Sequence, residues 1–418
     1  MQTTVSSVIT PDAILITMSN TKTNIVIVGG GFAGTKAALE LSNCDNCQVT
    51  LVSDHSHFRY YPGLYHAATG GKRAGSRIRL ENILDESKVT FIRAEATSLD
   101  RAKKQIVTKD GQRISFDSLV LALGNVTNYF GIDGLKEYSF GIKSTEEAEE
   151  FKNHLHQQLL EDGRPDLNYV IVGGGPTGIE LSGALPGYLR EVMKKHGIKA
   201  RKLHIELVEA APRLLPRSPK NVSRAISRRL RRLGVKIMTG TAVQGRTPDT
   251  LMAGDKPLKS ETVVWTAGVA NHPFFKQNGF TLTERGKVAV DDYLQAEPGI
   301  FVMGDNANTP YSGLAQTALH DGMFVADNLK RQTEGKMMHA YHAKRPITVV
   351  PVGKNWASVE WGERHFNGYI GWVLRSLADL IGFHDLQSWP KAGEQWITSM
   401  ADENLNCPNC SSAQTTSK

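Results

Sequence analysis

Two glycine-rich fingerprints constrain this chain more than any other feature: Val28-Gly29-Gly30-Gly31-Phe32-Ala33-Gly34 and Val172-Gly173-Gly174-Gly175-Pro176-Thr177-Gly178. Each follows a short β-rich run, residues 24–28 and 168–172, and opens a helical pattern. In that setting the first glycine of Gly-x-Gly-x-x-Gly makes a tight turn, the second lets a pyrophosphate approach the backbone, and the third lets helix pack on strand. The helix N-terminus then offers free N–H groups and a positive dipole end. One such motif is a weak signal, but a pair at equivalent places in two α/β units predicts two bound dinucleotides.

Three further stretches strengthen the pattern. Ile300-Phe301-Val302-Met303-Gly304-Asp305 is a strand followed by Gly-Asp, and residues 119–124 (Leu-Val-Leu-Ala-Leu-Gly) and 263–268 (Val-Val-Trp-Thr-Ala-Gly) are apolar strands ending in Gly124 and Gly268. Together, in this order, they resemble the two-dinucleotide-binding flavoproteins over roughly residues 23–330. That resemblance implies FAD in the first site, held by Gly29, Gly31, Gly34 and Asp305, and NADH in the second, held by Gly173, Gly175, Gly178 and Glu209. Phe32, Ala33, Asp54, Gly124, Thr177, Gly268, Gly304 and Ala315 complete the expected cofactor contacts. The fold class is accordingly α/β, with two Rossmann-like domains: residues 23–144 with 281–335 for FAD, and 145–280 for NADH.

The second strands of the two units point to the ribose acids. Residues 48–52 are followed by Ser53 where the acid is expected and by Asp54 one position later, whereas residues 203–208 lead directly into Glu209. Glu209 suits a ribose 2′-hydroxyl and repels a 2′-phosphate, which favours NADH over NADPH, while Arg213 keeps the alternative open. The insert 186–202 reads as a helix and loop. Residues 58–70, rich in aromatics around Pro62, resemble the family segment that lies against the flavin ring.

At 418 residues and 40% hydrophobic content the chain can bury more than one core. Nothing approaches the ~18 uninterrupted apolar residues of a spanning helix. Residues 1–22 read as a disordered lead without an export signal, and 401–418 as a flexible tail. The net charge of +7 is concentrated in Arg224, Arg228, Arg229, Arg231, Arg232 and Lys236, opposite an apolar face of Val222, Ala225, Ile226, Leu230 and Leu233. This reads as a solvated basic helix face, with attraction to anionic headgroups as the alternative. Interleaved aromatics are missing, so no nucleic-acid partner is expected.

Beyond Lys336 the rhythm changes. Residues 347–352 and 357–361 flank a Gly353-Lys354-Asn355 turn and predict a hairpin. Phe366, Tyr369, Ile370, Val373, Leu377, Leu380 and Ile381 then recur at helical spacing near Trp372, Trp389 and Trp396. Two readings stand: a core-packing helix, or an amphipathic membrane-associating region spanning 336–400 whose interfacial part is 366–400.

The electron acceptor distinguishes branches of these flavoproteins. Disulfide reductases and sulfide:quinone oxidoreductases need cysteines near the flavin, and Cys44, Cys47, Cys407 and Cys410 are the only ones here. Ala315-Gln316-Thr317-Ala318-Leu319-His320-Asp321-Gly322 instead resembles the Ala-Gln-x-Ala-x-Gln-x-Gly motif of type II NADH dehydrogenases, single-subunit NADH:quinone oxidoreductases, with His320 in place of the second glutamine. Glu180 matches the family's acidic residue beside the nicotinamide and flavin. The resemblance implies hydride transfer from NADH to flavin, two electrons passed to a membrane quinone, and Glu180, Gln316 and His320 as catalytic residues. It also implies a peripheral (monotopic) place on the cytoplasmic face of the membrane, with a homodimer left open. A reductase with a soluble acceptor and a redox-responsive protein similar to apoptosis-inducing factor are the rival readings. The two Cys-x-x-Cys pairs can complete a zinc site or remain thiols, and no metal ligand is assigned.

Overall fold

The computed structural model describes residues 22–160, 165–199 and 202–402. The first unit runs β1 (Thr23–Val28), α1 (Phe32–Leu41), β2 (Cys47–Ser53), β3 (Val89–Arg93) and β4 (Ser118–Leu121). β1 is buried on both faces, as a continuous apolar β-branched run in a parallel sheet must be. Ile25 and Ile27 pack toward Phe32 and Ala37 of α1, while Val26 and Val28 pack on the opposite side with Leu119 and Phe274.

After α2 (Thr145–Leu160) the same construction repeats with β5 (Tyr169–Val172), α3 (Pro176–Lys195), β6 (Ile205–Glu209), α4 (Lys220–Arg232), β7 (Val235–Thr239) and β8 (Thr262–Trp265). Its sheet has the order β7-β6-β5-β8 and is parallel throughout. The chain then returns with β9 (Gln295–Glu297) and β10 (Ile300–Val302), which complete the first sheet in the order β9-β10-β4-β1-β2-β3. The two crossings between units, Asn125–Thr127 and Val269–Asn271, pair antiparallel. Phe274, Phe275 and Phe280 already pack in the first unit's core, so the return occurs before the expected boundary at residue 281.

One further expectation holds and two are corrected. Among its described residues the segment 186–202 is a helix and loop as expected, and its helix is continuous with the one the fingerprint opens: α3 runs through Pro186 to Lys195, because Leu185, Tyr188, Leu189, Val192 and Met193 bury one face. That burial offsets the ~3 kcal/mol an interior proline costs a helix. The C-terminal hairpin of β11 (Thr348–Pro351) and β12 (Ala357–Trp361) has a third strand, β13 (Arg364–Gly368), and Phe366 lies in it. Alternation on β13 was masked by the helical spacing that follows. Finally, Cys44 and Cys47 are joined as a disulfide, so they are not free thiols, and Cys407 and Cys410 lie outside the described residues.

α5 (Ala315–Thr333) lies on α1, and their axes come close because a Cβ on Gly322 would stand 2.5 Å from the carbonyl oxygen of Ala33. The chain closes with α6 (Tyr369–His384) and α7 (Trp389–Met400). No helix of the described residues is long and apolar enough to cross a membrane. Gly322→Ala should destabilise the protein by about 1–3 kcal/mol, since the contact is backbone and cannot rotate away. A lowered thermal midpoint is the expected readout, and an unchanged one would mean the two helices separate without cost.

Candidate functional site

Both fingerprints form the same cradle. Gly29 N–H donates to Val52 O and Gly173 N–H to Val208 O, each at 2.8 Å, tying the turn to the neighbouring strand. A Cβ on Gly34 would lie 1.9 Å from Gly29 O, and one on Gly178 would lie 1.9 Å from Gly173 O. Over Gly31 and Gly175 there is nothing within 4 Å of such a Cβ. The open space sits at the helix N-caps, where N–H groups of Phe32, Ala33 and Gly34, and of Thr177 and Gly178, precede the first intrahelical acceptors. A pyrophosphate fits each cradle: backbone donors converge on a space that a side chain would otherwise fill.

The strand ends differ as the sequence predicts. Ser53 Oγ lies 2.8 Å from a Cβ built on Gly30, and Glu209 Oε2 lies 2.8 Å from one on Gly174, so these two residues are equivalent. Glu209 accepts from Gly174 N at 2.5 Å and Ala211 N at 2.6 Å. Asp54 is exposed and pairs with His55 at 3.0 Å. Burial works against its charge, but His55 and Arg59 hold its carboxyl below the usual range.

The Gly304-Asp305 turn packs against the first cradle, with a Cβ on Gly304 3.3 Å from that of Ala33. Asp305 accepts from Asn125 Nδ2 at 2.8 Å, and the Oδ1 of Asn125 is buried with no partner among the described residues, an acceptor left for a bound group. Asn306 Oδ1 accepts from Gly124 N at 2.8 Å, and its Nδ2 donates to Gly124 O at 2.7 Å and Asn271 Oδ1 at 2.6 Å. One amide thus fastens both crossings. On the second, Gly268 turns tightly against Phe130 and Asn128 O. Asn125, Asn128, Phe130 and Asn271 were absent from the sequence expectations and carry no spacing signal of their own.

Ala315 and Gln316 open α5 with no side-chain cap, leaving its first N–H groups free. Gln316 Oε1 accepts from Ile347 N at 2.8 Å, and His320 Nε2 donates to His342 O at 3.0 Å, so a single strap of chain holds both. Beside them Asp321 is fully buried, accepting from Gly304 N at 3.0 Å and from Tyr341 OH at 2.6 Å. Burial pushes its carboxyl up to about 6 against both hydrogen bonds.

Glu180 lies on α3, buried against Tyr65 and the inner face of α6. Burial pushes its carboxyl up to about 7; Arg375 opposes that and Asp379 adds to it. Arg375 and Asp379 form a half-buried i,i+4 ion pair. Arg375 also donates to Pro62 O at 3.1 Å, and Tyr60 OH donates to Asp379 at 2.5 Å. Tyr60 packs against Phe383 with the rings tilted and their centroids 4.3 Å apart. Sequence reasoning missed this pair, although two opposite charges four apart inside an apolar stripe were its signal.

The pyridine nucleotide-disulphide oxidoreductase signature matches residues 23–343, across both cradles and the Gly-Asp turn. The chain belongs to the pyridine nucleotide-disulphide oxidoreductase family. Within its curated relatives, the type II NADH:quinone oxidoreductase of Staphylococcus saprophyticus is 28% identical over 361 residues, covering 80% of this chain and 89% of the relative. That of Staphylococcus aureus is 29% identical over 362 residues, covering 81% and 89%. Among solved folds, NDH2 from Plasmodium falciparum in complex with NADH superposes with a TM-score of 0.79 at 16% identity, covering 90% of this chain and 97% of that one. The sulfide:quinone oxidoreductase of Aquifex aeolicus gives 0.73 at 19% identity, covering 93% and 98%.

Glu180 has a testable signature in this oxidoreductase. Its proton affinity is raised on folding, so the stability it contributes is present below about pH 4.5 and is lost as pH rises through about 7. The change should amount to about 3 kcal/mol. Urea titrations from pH 4 to 8 should show this slope flattened in Glu180→Gln. In Asp379→Asn it should move to lower pH, because Arg375 then acts on Glu180 unopposed. A wild-type slope retained in Glu180→Gln would assign the titration elsewhere.

Proposed function

We infer that the protein is a type II NADH:quinone oxidoreductase, a flavoenzyme that oxidises NADH in the second cradle and reduces a membrane quinone. The observation that carries this reading is the join between α6 and the segment around Pro62. The helix whose Arg375 and Asp379 grip that segment also presents Ile370, Leu377 and Ile381 to the outside, exposed by 63%, 48% and 54%. Trp389 and Ile397 of α7 extend the same apolar surface. A contiguous exposed apolar face with tryptophan at its edge suits a bilayer interface, and a lipid-soluble acceptor entering there meets the nucleotide core directly. This supports a peripheral attachment, which we assign to the cytoplasmic side, where NADH is produced.

When bound, FAD supplies the redox chemistry, accepting a hydride and releasing electrons singly or in pairs. The protein supplies position and charge. Gly29, Gly31, Gly34 and Asp305 hold FAD by phosphate and ribityl, and Gly173, Gly175, Gly178 and Glu209 hold NADH. The free N–H groups at the start of α5 direct a positive dipole end at negative charge developing nearby. Glu180, balanced between protonated and ionised forms at neutral pH, orders the nicotinamide or passes a proton. Gln316 and His320 face the quinone, and an imidazole, unlike an amide, can deliver a proton.

The assay is steady-state oxidation of NADH with a short-chain ubiquinone or menaquinone analogue, and many turnovers per flavin are expected. Reaction that stops near one turnover would mark a redox-responsive binding protein instead. His320→Gln should leave flavin reduction by NADH intact yet slow reoxidation by quinone about a hundredfold or more, the usual range for a lost general acid; equal stopped-flow rates would remove His320 from proton delivery.

Attachment is tested separately. Replacing Ile370, Leu377 and Ile381 together by serine should release the protein from liposomes in flotation while flavin content stays constant. Flotation unchanged by the triple substitution would reassign the stripe to packing.

A further inference from the structure

α4 carries Arg224, Arg228 and Arg231 along one exposed face, at spacings that place like charges side by side. None of the three side chains has a hydrogen bond or ion pair among the described residues. They line a cleft of about 250 Å³ together with Ser227, and its other wall is formed by Pro212 and Thr239. No carboxylate among the described residues lines it. The apolar residues of α4 that the sequence placed on its other face, Val222, Ile226 and Leu230, are buried, so the helix is fixed and its arginines are presented on a rigid support.

The cleft's position gives it a ligand. Thr239 is the register partner of Glu209, and the chain after β6 is tied to the chain after β7 by Gly240 N to Ala211 O at 2.8 Å and Thr241 N to Glu209 O at 3.0 Å. The cleft therefore opens at the edge of the sheet where the adenosine ribose of a dinucleotide in the second cradle belongs, and an arginine there can take a 2′-phosphate. Both oxygens of Glu209 are already engaged, one by Gly174 N–H of the cradle and one by Ala211 N–H of the turn that follows it, which offsets part of its charge where a 2′-phosphate would approach. Arg213 also lines the cleft, but its guanidinium is committed to its own loop, donating to the carbonyls of Leu215, Ser218 and Pro216. We propose that the arginine cleft on α4 binds the 2′-phosphate of NADPH, so that the second cradle takes both NADH and NADPH. The proposal rests on the reading of that cradle as the nicotinamide nucleotide site. A phosphate monoester, with nearly two charges, would relieve the repulsion among the three guanidinium groups and accept their paired donors.

The test uses the full-length FAD-loaded protein and its Arg224→Ala and Arg228→Ala variants, all surface changes that leave the core intact. Each should raise KM for NADPH about tenfold, the loss of one charge-assisted hydrogen bond, and leave KM for NADH within about twofold. Added salt should weaken NADPH more than NADH. Adenosine 2′,5′-bisphosphate should bind the wild type more tightly than 5′-AMP, an advantage the variants lose. Equal effects on both nucleotides, or none on NADPH, would overturn the proposal. So would variants whose sole defect is weaker binding to vesicles containing phosphatidylglycerol, which would assign the arginines to lipid headgroups. If neither nucleotide reduces the flavin, the reading of the cradle as a reductase site fails, while the comparison of the two adenosine phosphates still reports on the cleft.

Discussion

The first glycine of each fingerprint and the third stand so close that carbonyl oxygen and Cα share the space of a methyl group. Everything else is arranged around that contact. It lets α1 and α3 begin directly beside the strand ends, with their N–H groups aimed over Gly31 and Gly175 rather than into a side chain. It also sets the depth at which β4 and β8 must pass, since Gly29 rests on Ala122 and Gly173 on Thr266. A second close approach, Gly322 on Ala33, brings the start of α5 to the same place. The site is thus made of backbone held at short range, and the side chains around it adjust its charge.

Those side chains are the less orderly part. Glu180 and Asp321 are both buried carboxyls with raised proton affinity, but their surroundings differ in kind. Asp321 is satisfied by a turn N–H and a tyrosine hydroxyl, which joins the Gly304 turn to the strap over Gln316 and His320. Glu180 feels Arg375 and Asp379, charges of opposite sign supplied by the outermost layer of the protein. A largely desolvated pair of this kind contributes little net stability, yet losing one partner is costly. Its arrangement therefore holds α6 to one seating on the core.

How much of this could be read from the chain follows from the range of each interaction. The strands and fingerprints were legible because parallel strands buried on both faces must be apolar throughout, and a phosphate turn tolerates only glycine at fixed offsets. Glu209 was legible because the strand carries it to a known place, and Ser53 because it breaks the same rule. The continuity of α3 through Pro186 was hidden, since local preference argues for a break and only the buried face of Leu185, Leu189 and Val192 overrides it. β13 was hidden by Phe366, which fits either period. The contacts of Asn306, Asn125 and Arg375 join residues far apart in sequence, and no local pattern announces them.

The crossings between the two units have a consequence for the ancestry and engineering of such chains. Asn125 pairs with Asn271, so the second unit leaves the first and returns to it at neighbouring points. A segment whose two ends meet can be lifted out or replaced without rerouting the rest. The second unit is in this sense a cassette inserted into the first, and on the proposed assignment its preference for a nucleotide donor can change by exchange of the whole piece while the acceptor surface stays as it was.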